Sequence, residues 1–147
     1  MWIAIGLAVL ILIGILQAIF VDHLPKRYVV RSCMGRAWRN RFPAVSKQDI
    51  RKFLDLFLDA FAFRPEHRLK FGPNDKVIEI YRALYPRPEW TPDSLECETL
   101  VMFMEKEYGV TFPDNFGESE PTLGDIFEFV TRDPNNRIHG FFKTRTV

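Results

Sequence analysis

From Ser46 onward the apolar residues return with a helical period. Ile50, Phe53, Leu54, Phe57, Leu58 and Phe61 recur at i, i+3, i+4, i+7, i+8 and i+11, the single stripe of an amphipathic helix. The preceding "SKQD" supplies Ser46 as N-cap with Asp49 three residues on, a helix-start pattern. "RPEHRLKFGPND" reads as a loop from its Pro, Gly, Asn and Asp. "KVIEIYRALY" predicts a short helix with Val77, Ile80, Tyr81 and Leu84 inward, and "PRPEW" breaks it. A longer helix follows, from the region of Pro92 to Tyr108 or Gly109, and Gly109 can end it. After the loop "VTFPDNFGESEP", "TLGDIFEFV" predicts a closing helix capped by Thr122, with Leu123, Ile126, Phe127 and Val130 as its stripe. Residues 46–133 therefore predict one all-α domain, a small helical bundle of three main helices and one short one. Residues 134–147, "PNNRIHGFFKTRTV", form a C-terminal tail without an assigned element, in which Phe141 and Phe142 could tuck back onto the domain.

The pattern is different at the other end. "WIAIGLAVLILIGILQAIFV", Trp2 to Val21, has Gln17 as its only clearly polar side chain. At about 1.5 Å per residue such a run spans roughly 30 Å, the hydrocarbon thickness of a bilayer. No Lys or Arg precedes it, and it is longer than the apolar core of a secretory signal. Residues 1–21 are thus expected to form an uncleaved single-pass transmembrane anchor. Lys26, Arg27, Arg31, Arg36, Arg39 and Arg41 follow, against the one acid Asp22. By the excess of basic residues on the cytoplasmic side, everything after the anchor is expected to be cytoplasmic. Residues 22–45 show no clear period and read as a basic juxtamembrane linker facing anionic headgroups, whose Tyr28, Trp38 and Phe42 either dip into the membrane interface or pack against the domain.

Charge and composition narrow the chemistry. Residues 46–147 carry fourteen basic and eighteen acidic side chains, an acidic balance that argues against a nucleic-acid partner. Cys33 and Cys97 form no CxxC, and His23, His67 and His139 are scattered, so no metal-ligand spacing is visible. No nucleophile–base pair, paired-carboxylate site or phosphate loop stands out, so no catalytic residue is assigned.

The unusual element is the helix containing "PDSLECETLVMFMEKEYG", because it is apolar on two sides. Stepping 100° per residue from Leu95, the residues Leu100, Met104, Cys97, Tyr108 and Val101 fall between about 140° and 240°, the arc expected to face the core. Met102 falls at about 340°, beside Leu95 on the far side, with Glu98 and Glu105 along one edge and Glu96 and Glu107 along the other. Such a strip suits a partner with an apolar notch rimmed by Arg or Lys; burial under the long loops is the other reading. With either Asp93 or Thr91 as the cap, Ser94 lies in the first turn, where free backbone N–H groups and the helix dipole favour a phosphate. A first-turn serine is otherwise an ordinary helix-start residue.

"DSLECETLVMFMEKEYGVTFPD", Asp93 to Asp114, together with "PTLGDIFEFV", Pro121 to Val130, resembles the acyl carrier protein family. The first block follows the family's Asp-Ser-Leu helix and its continuation, and the second resembles its closing helix; residues 46–92 match only in outline. The resemblance implies an acyl-carrier-like domain with 4′-phosphopantetheine attached to Ser94 by a phosphopantetheinyl transferase, whose metal site Asp93 would assist. The thiol of that arm would hold an acyl or aminoacyl group as a thioester for acyl-transferring or synthase enzymes, with Leu95, Glu96, Glu98, Met102 and Glu105 as the docking face. It implies a carrier rather than an enzyme, in fatty-acid or lipid metabolism. Combined with the anchor, it implies residence at a bacterial inner membrane, where tethering raises effective concentration. The sequence departs from the family at Pro92, where the family has Gly, and at Thr99 and Lys106, where it usually has acids. The alternative is an interaction module that keeps the fold without the prosthetic group.

Overall fold

The computed structural model describes residues 24–86 and 95–132. These are helical, and among them no strand is found beyond an isolated bridge between Lys76 and Thr122. The helices are α1 (Lys26–Val29), α2 (Gly35–Arg41), α3 (Lys47–Ala60), α4 (Val77–Leu84), α5 (Leu95–Tyr108) and α6 (Leu123–Thr131). Short 3₁₀ turns cover Pro65–Lys70 and Phe116–Ser119, both inside segments expected to be plain loops.

The membrane architecture expected from the sequence is overturned. The apolar run Trp2–Val21 lies outside the described residues. Among the described residues, no helix is long and apolar enough to cross a membrane. The longest, α3 and α5, have 14 residues each, about 21 Å against the roughly 30 Å a span needs. Both also carry charges along their length. The single-pass fold, its orientation and the inner-membrane location are withdrawn; the all-α bundle stands.

The core is built around α3, whose sequence stripe becomes its buried face: Ile50, Phe53, Leu54, Phe57, Leu58 and Phe61 are all buried. Its start is fixed as the "SKQD" pattern requires. The Ser46 side chain accepts from the Asp49 backbone N–H at 3.1 Å, a cap worth about 1 kcal/mol. Helix α5 packs along α3, and also touches α6. It runs antiparallel to α3: Lys52 near the α3 start pairs with Glu107 near the α5 end, while Ala60 and Phe61 lie beside Leu95.

The segment 24–45, expected as a linker, is part of this core. Leu24, Tyr28 and Trp38 are buried. The Trp38 ring meets Phe42, Phe53 and Phe127 at 5.7–5.9 Å between centroids, and its indole N–H donates to the Phe71 carbonyl at 2.9 Å. The polar end of the side chain is therefore satisfied while its rings join α2, α3 and α6. Tyr28 packs at a tilt against Phe71 with ring centroids 4.8 Å apart, and the Arg27 guanidinium lies 4.7 Å from the Tyr28 ring centre.

Two of the arginines expected to form a membrane collar are internal ties. Arg31 pairs with Asp75 at 2.5 Å. Arg41 donates to the Pro73 carbonyl and to Asn74, each at 3.1 Å, and pairs with Asp125 at 2.7 Å. The same junction fixes the start of α6. Leu123 and Gly124 donate backbone N–H groups to the carbonyls of Asp75 and Pro73 at 2.9 and 2.8 Å. Thr122 and Asp125 form a reciprocal capping box.

No room exists at this junction for a side chain on Gly124. A Cβ there would lie 2.5 Å from an Arg41 nitrogen and 2.6 Å from the Pro73 carbonyl oxygen. Gly124→Ala is expected to destabilise the protein by about 1–3 kcal/mol, seen as a lowered Tm in calorimetry. Gly35→Ala, whose added carbon would meet nothing closer than 3.5 Å, is expected not to.

Asp125 also gives the fold an acid sensitivity. Burial pushes its carboxyl up, but bonds from Thr122 and from Arg41 outweigh this and hold it below its ordinary value. The stabilisation this supplies is present above the ordinary value of 3.8 and is lost as pH falls through the lowered folded one. Asp125→Asn is expected to lower Tm at neutral pH and to flatten its decline below pH ~4, measured by thermal unfolding across pH.

Candidate functional site

Helix α5 is described over Leu95–Tyr108. Asp93 and Ser94 lie outside the described residues, which resume at Leu95. From there the helix presents the two sides that the 100° projection separates. Leu100 and Met104 are buried, while Val101, Cys97 and Tyr108, assigned to the same arc, are half-buried. On the far side Leu95 is 59% exposed and Met102 56%. Among the described residues only Val29 and Val30 are comparably exposed large hydrophobics.

The acids expected along the strip differ in their surroundings. Glu98 is exposed. Glu105 accepts the backbone N–H of Phe112 at 2.9 Å, which folds the chain after α5 back against the helix. Glu96 accepts from the Tyr85 hydroxyl, joining the end of α4 to the start of α5. Glu107 pairs with Lys52. The exposed face thus keeps acids at its edges, and Glu96, Glu105 and Glu107 also bind within the chain. Lys106 is exposed on the strip itself. At the C-terminal end Gly109 takes φ +61, and its N–H donates to the Glu105 carbonyl at 2.9 Å. A glycine adopts that left-handed cap without a Cβ clash.

Beside Leu95 lies an open groove of about 460 Å³, lined by Ala60, Phe61, Ala62, Leu84, Tyr85, Leu95, Glu96 and Thr99. Its walls are apolar apart from Tyr85, Glu96 and Thr99. Sequence reading did not find it, because three separate elements supply the lining and no local spacing joins them. The one usable signal was Tyr85 itself, a hydroxyl just past a helical stripe.

Among the described residues, no three His, Cys, Asp or Glu side chains gather as a metal ion would require. Burial, with help from Glu96 and Glu98, pushes the Cys97 thiol up to about 11. Burial, then Glu107 and Asp49, push the Tyr108 hydroxyl up to about 12. Neither group is poised as a nucleophile near neutral pH. No protein-family model matches the chain, and no solved structure matches it. The functional reading rests on the chain's own residues.

The two thiols are expected to separate in a simple titration. Cys33 is exposed and Cys97 half-buried. At pH 8 a thiol of pKa about 11 is roughly one-thousandth thiolate. One equivalent of an aromatic disulfide reagent is expected to react rapidly with the folded chain and the second only on unfolding. Cys33→Ser is expected to remove the fast phase.

Proposed function

We propose that this chain is a carrier-like protein that receives 4′-phosphopantetheine on Ser94 and presents an acyl or aminoacyl thioester to partner enzymes. The observation that carries the reading is the exposed Leu95–Met102 strip, edged by acids, on α5, whose described residues begin one position after Ser94 in the sequence. A helix that buries one apolar side and keeps a second one in water has a surface suited to docking. A phosphodiester on Ser94, one position before Leu95 in the sequence, would also be favoured by the dipole of α5. The first-turn acids Glu96 and Glu98 oppose that charge, but Glu96 is turned to Tyr85. The groove beside Leu95 leaves room for an arm at the helix start.

Bound to Ser94, the arm would supply a thiol that carries the acyl group. The chain's own part is to hold Ser94 at a helix start, to offer Asp93 and the strip to the transferase, and to dock later partners through Leu95 and Met102. It makes and breaks no bond of the cargo itself. Pro92 favours a second reading, because a proline stiffens the lead-in the transferase must grip; on it the same face serves as an interaction module without the arm.

Intact mass spectrometry after co-expression with a phosphopantetheinyl transferase separates the two. The carrier reading expects a gain of one phosphopantetheinyl group, absent in Ser94→Ala. An unmodified mass, or a gain that persists in Ser94→Ala, leaves only the interaction module.

A further inference from the structure

Among the described residues there are two patches of exposed large hydrophobics, and their electrostatic settings are opposite. Val29 and Val30 lie next to Lys26, Arg27 and Arg31. Leu95 and Met102 lie beside the Glu98–Glu105 edge of α5, with Lys106 one turn beyond Met102. The chain after Arg132 contains one compact apolar pair, Phe141–Phe142. Residues 134–147 carry Arg137, Lys143 and Arg145 and no acid. An apolar segment of that charge is repelled at the Val29–Val30 patch and attracted at the α5 strip.

Reach permits the contact. The nine residues from Arg132 to Phe141 extend to at most about 30 Å, against about 21 Å for the whole of α5. Helix α6, which leads into this segment, already packs on α5. Covering both Leu95 and Met102 with aromatic rings removes apolar surface from water at about 25 cal/mol per Å². Being within one chain, it does so without the association cost of a separate partner.

We propose that the C-terminal segment around Phe141–Arg145 is the occupant of the α5 strip: Phe141 and Phe142 cover Leu95 and Met102, and Lys143 and Arg145 face the Glu98–Glu105 edge. The contact does not depend on any modification of Ser94. It makes the tail a built-in competitor for whatever docks on α5, so that a partner reaches the strip only by displacing it.

The test uses the full chain with 13C-labelled methionine methyl groups. An aromatic ring over Met102 shifts its methyl proton resonance upfield, and the buried Met104 methyl serves as an internal reference. The Met102 shift is expected in the native chain, lost in the double variant Phe141→Ser, Phe142→Ser, and weakened in Glu98→Lys. Lys143→Glu with Arg145→Glu in the Glu98→Lys background is expected to restore it. A Met102 methyl that is unchanged when both phenylalanines are removed overturns the proposal. So does a shift that grows with protein concentration, because that places a second copy on the strip.

Discussion

A helix with 3.6 residues per turn cannot bury opposite sides against one core, and α5 has apolar residues on both. Its inner side is claimed by α3 and α6, which cover Leu100 and Met104. The outer side, Leu95 and Met102, is left to water within the described structure. Everything proposed about function follows from that division. The exposed strip suits docking, and it lies close in the sequence to Ser94, the proposed attachment point.

The division holds only because α3 is fixed, and α3 is fixed by aromatic packing from both flanks of the sequence. Trp38 before it and Phe127 after it meet over Phe53. Phe57, Phe63 and Phe71 close its other end. Between them the Arg41 guanidinium binds the Pro73 carbonyl, Asn74 and Asp125. One cation thereby ties α2, the loop before α4 and the α6 capping box. A charge so placed is held by several partners at once, which isolated surface pairs are not.

How much could be read from the chain depended on period. The α3 stripe, the Ser46 cap, the short α4, the Gly109 terminus and the Thr122-capped α6 were all legible, because long or well-capped helices announce themselves locally. Segment 24–45 was legible only as an open choice, with its aromatics either at a membrane surface or packed on the domain. Within it, Leu24 lies before α1, and the buried Tyr28 and Trp38 ride on helices of 4 and 7 residues, too short to show a stripe. Its arginines suggested a membrane collar, since nothing in a linear reading reveals that Arg31 meets Asp75 or that Arg41 meets Asp125. Phe63 and Phe71 were hidden for a similar reason: the loop between them has turn composition, yet both are buried. On α5 the projection separated the inner from the outer strip, but it could not show Tyr85 reaching Glu96 or the groove beside Leu95, which three elements build together.

The most direct measurement is the stability of two neighbouring substitutions on α5, Met104→Gln and Met102→Gln, by urea unfolding of the full chain. Met104 is fully buried and Met102 is 56% exposed. A polar group forced into the core at position 104 is expected to cost about 2–5 kcal/mol, and the same change at 102 no more than about 1 kcal/mol. Equal losses at both positions, or the larger loss at 102, would contradict a helix with one buried and one outward apolar side, and with it the docking face.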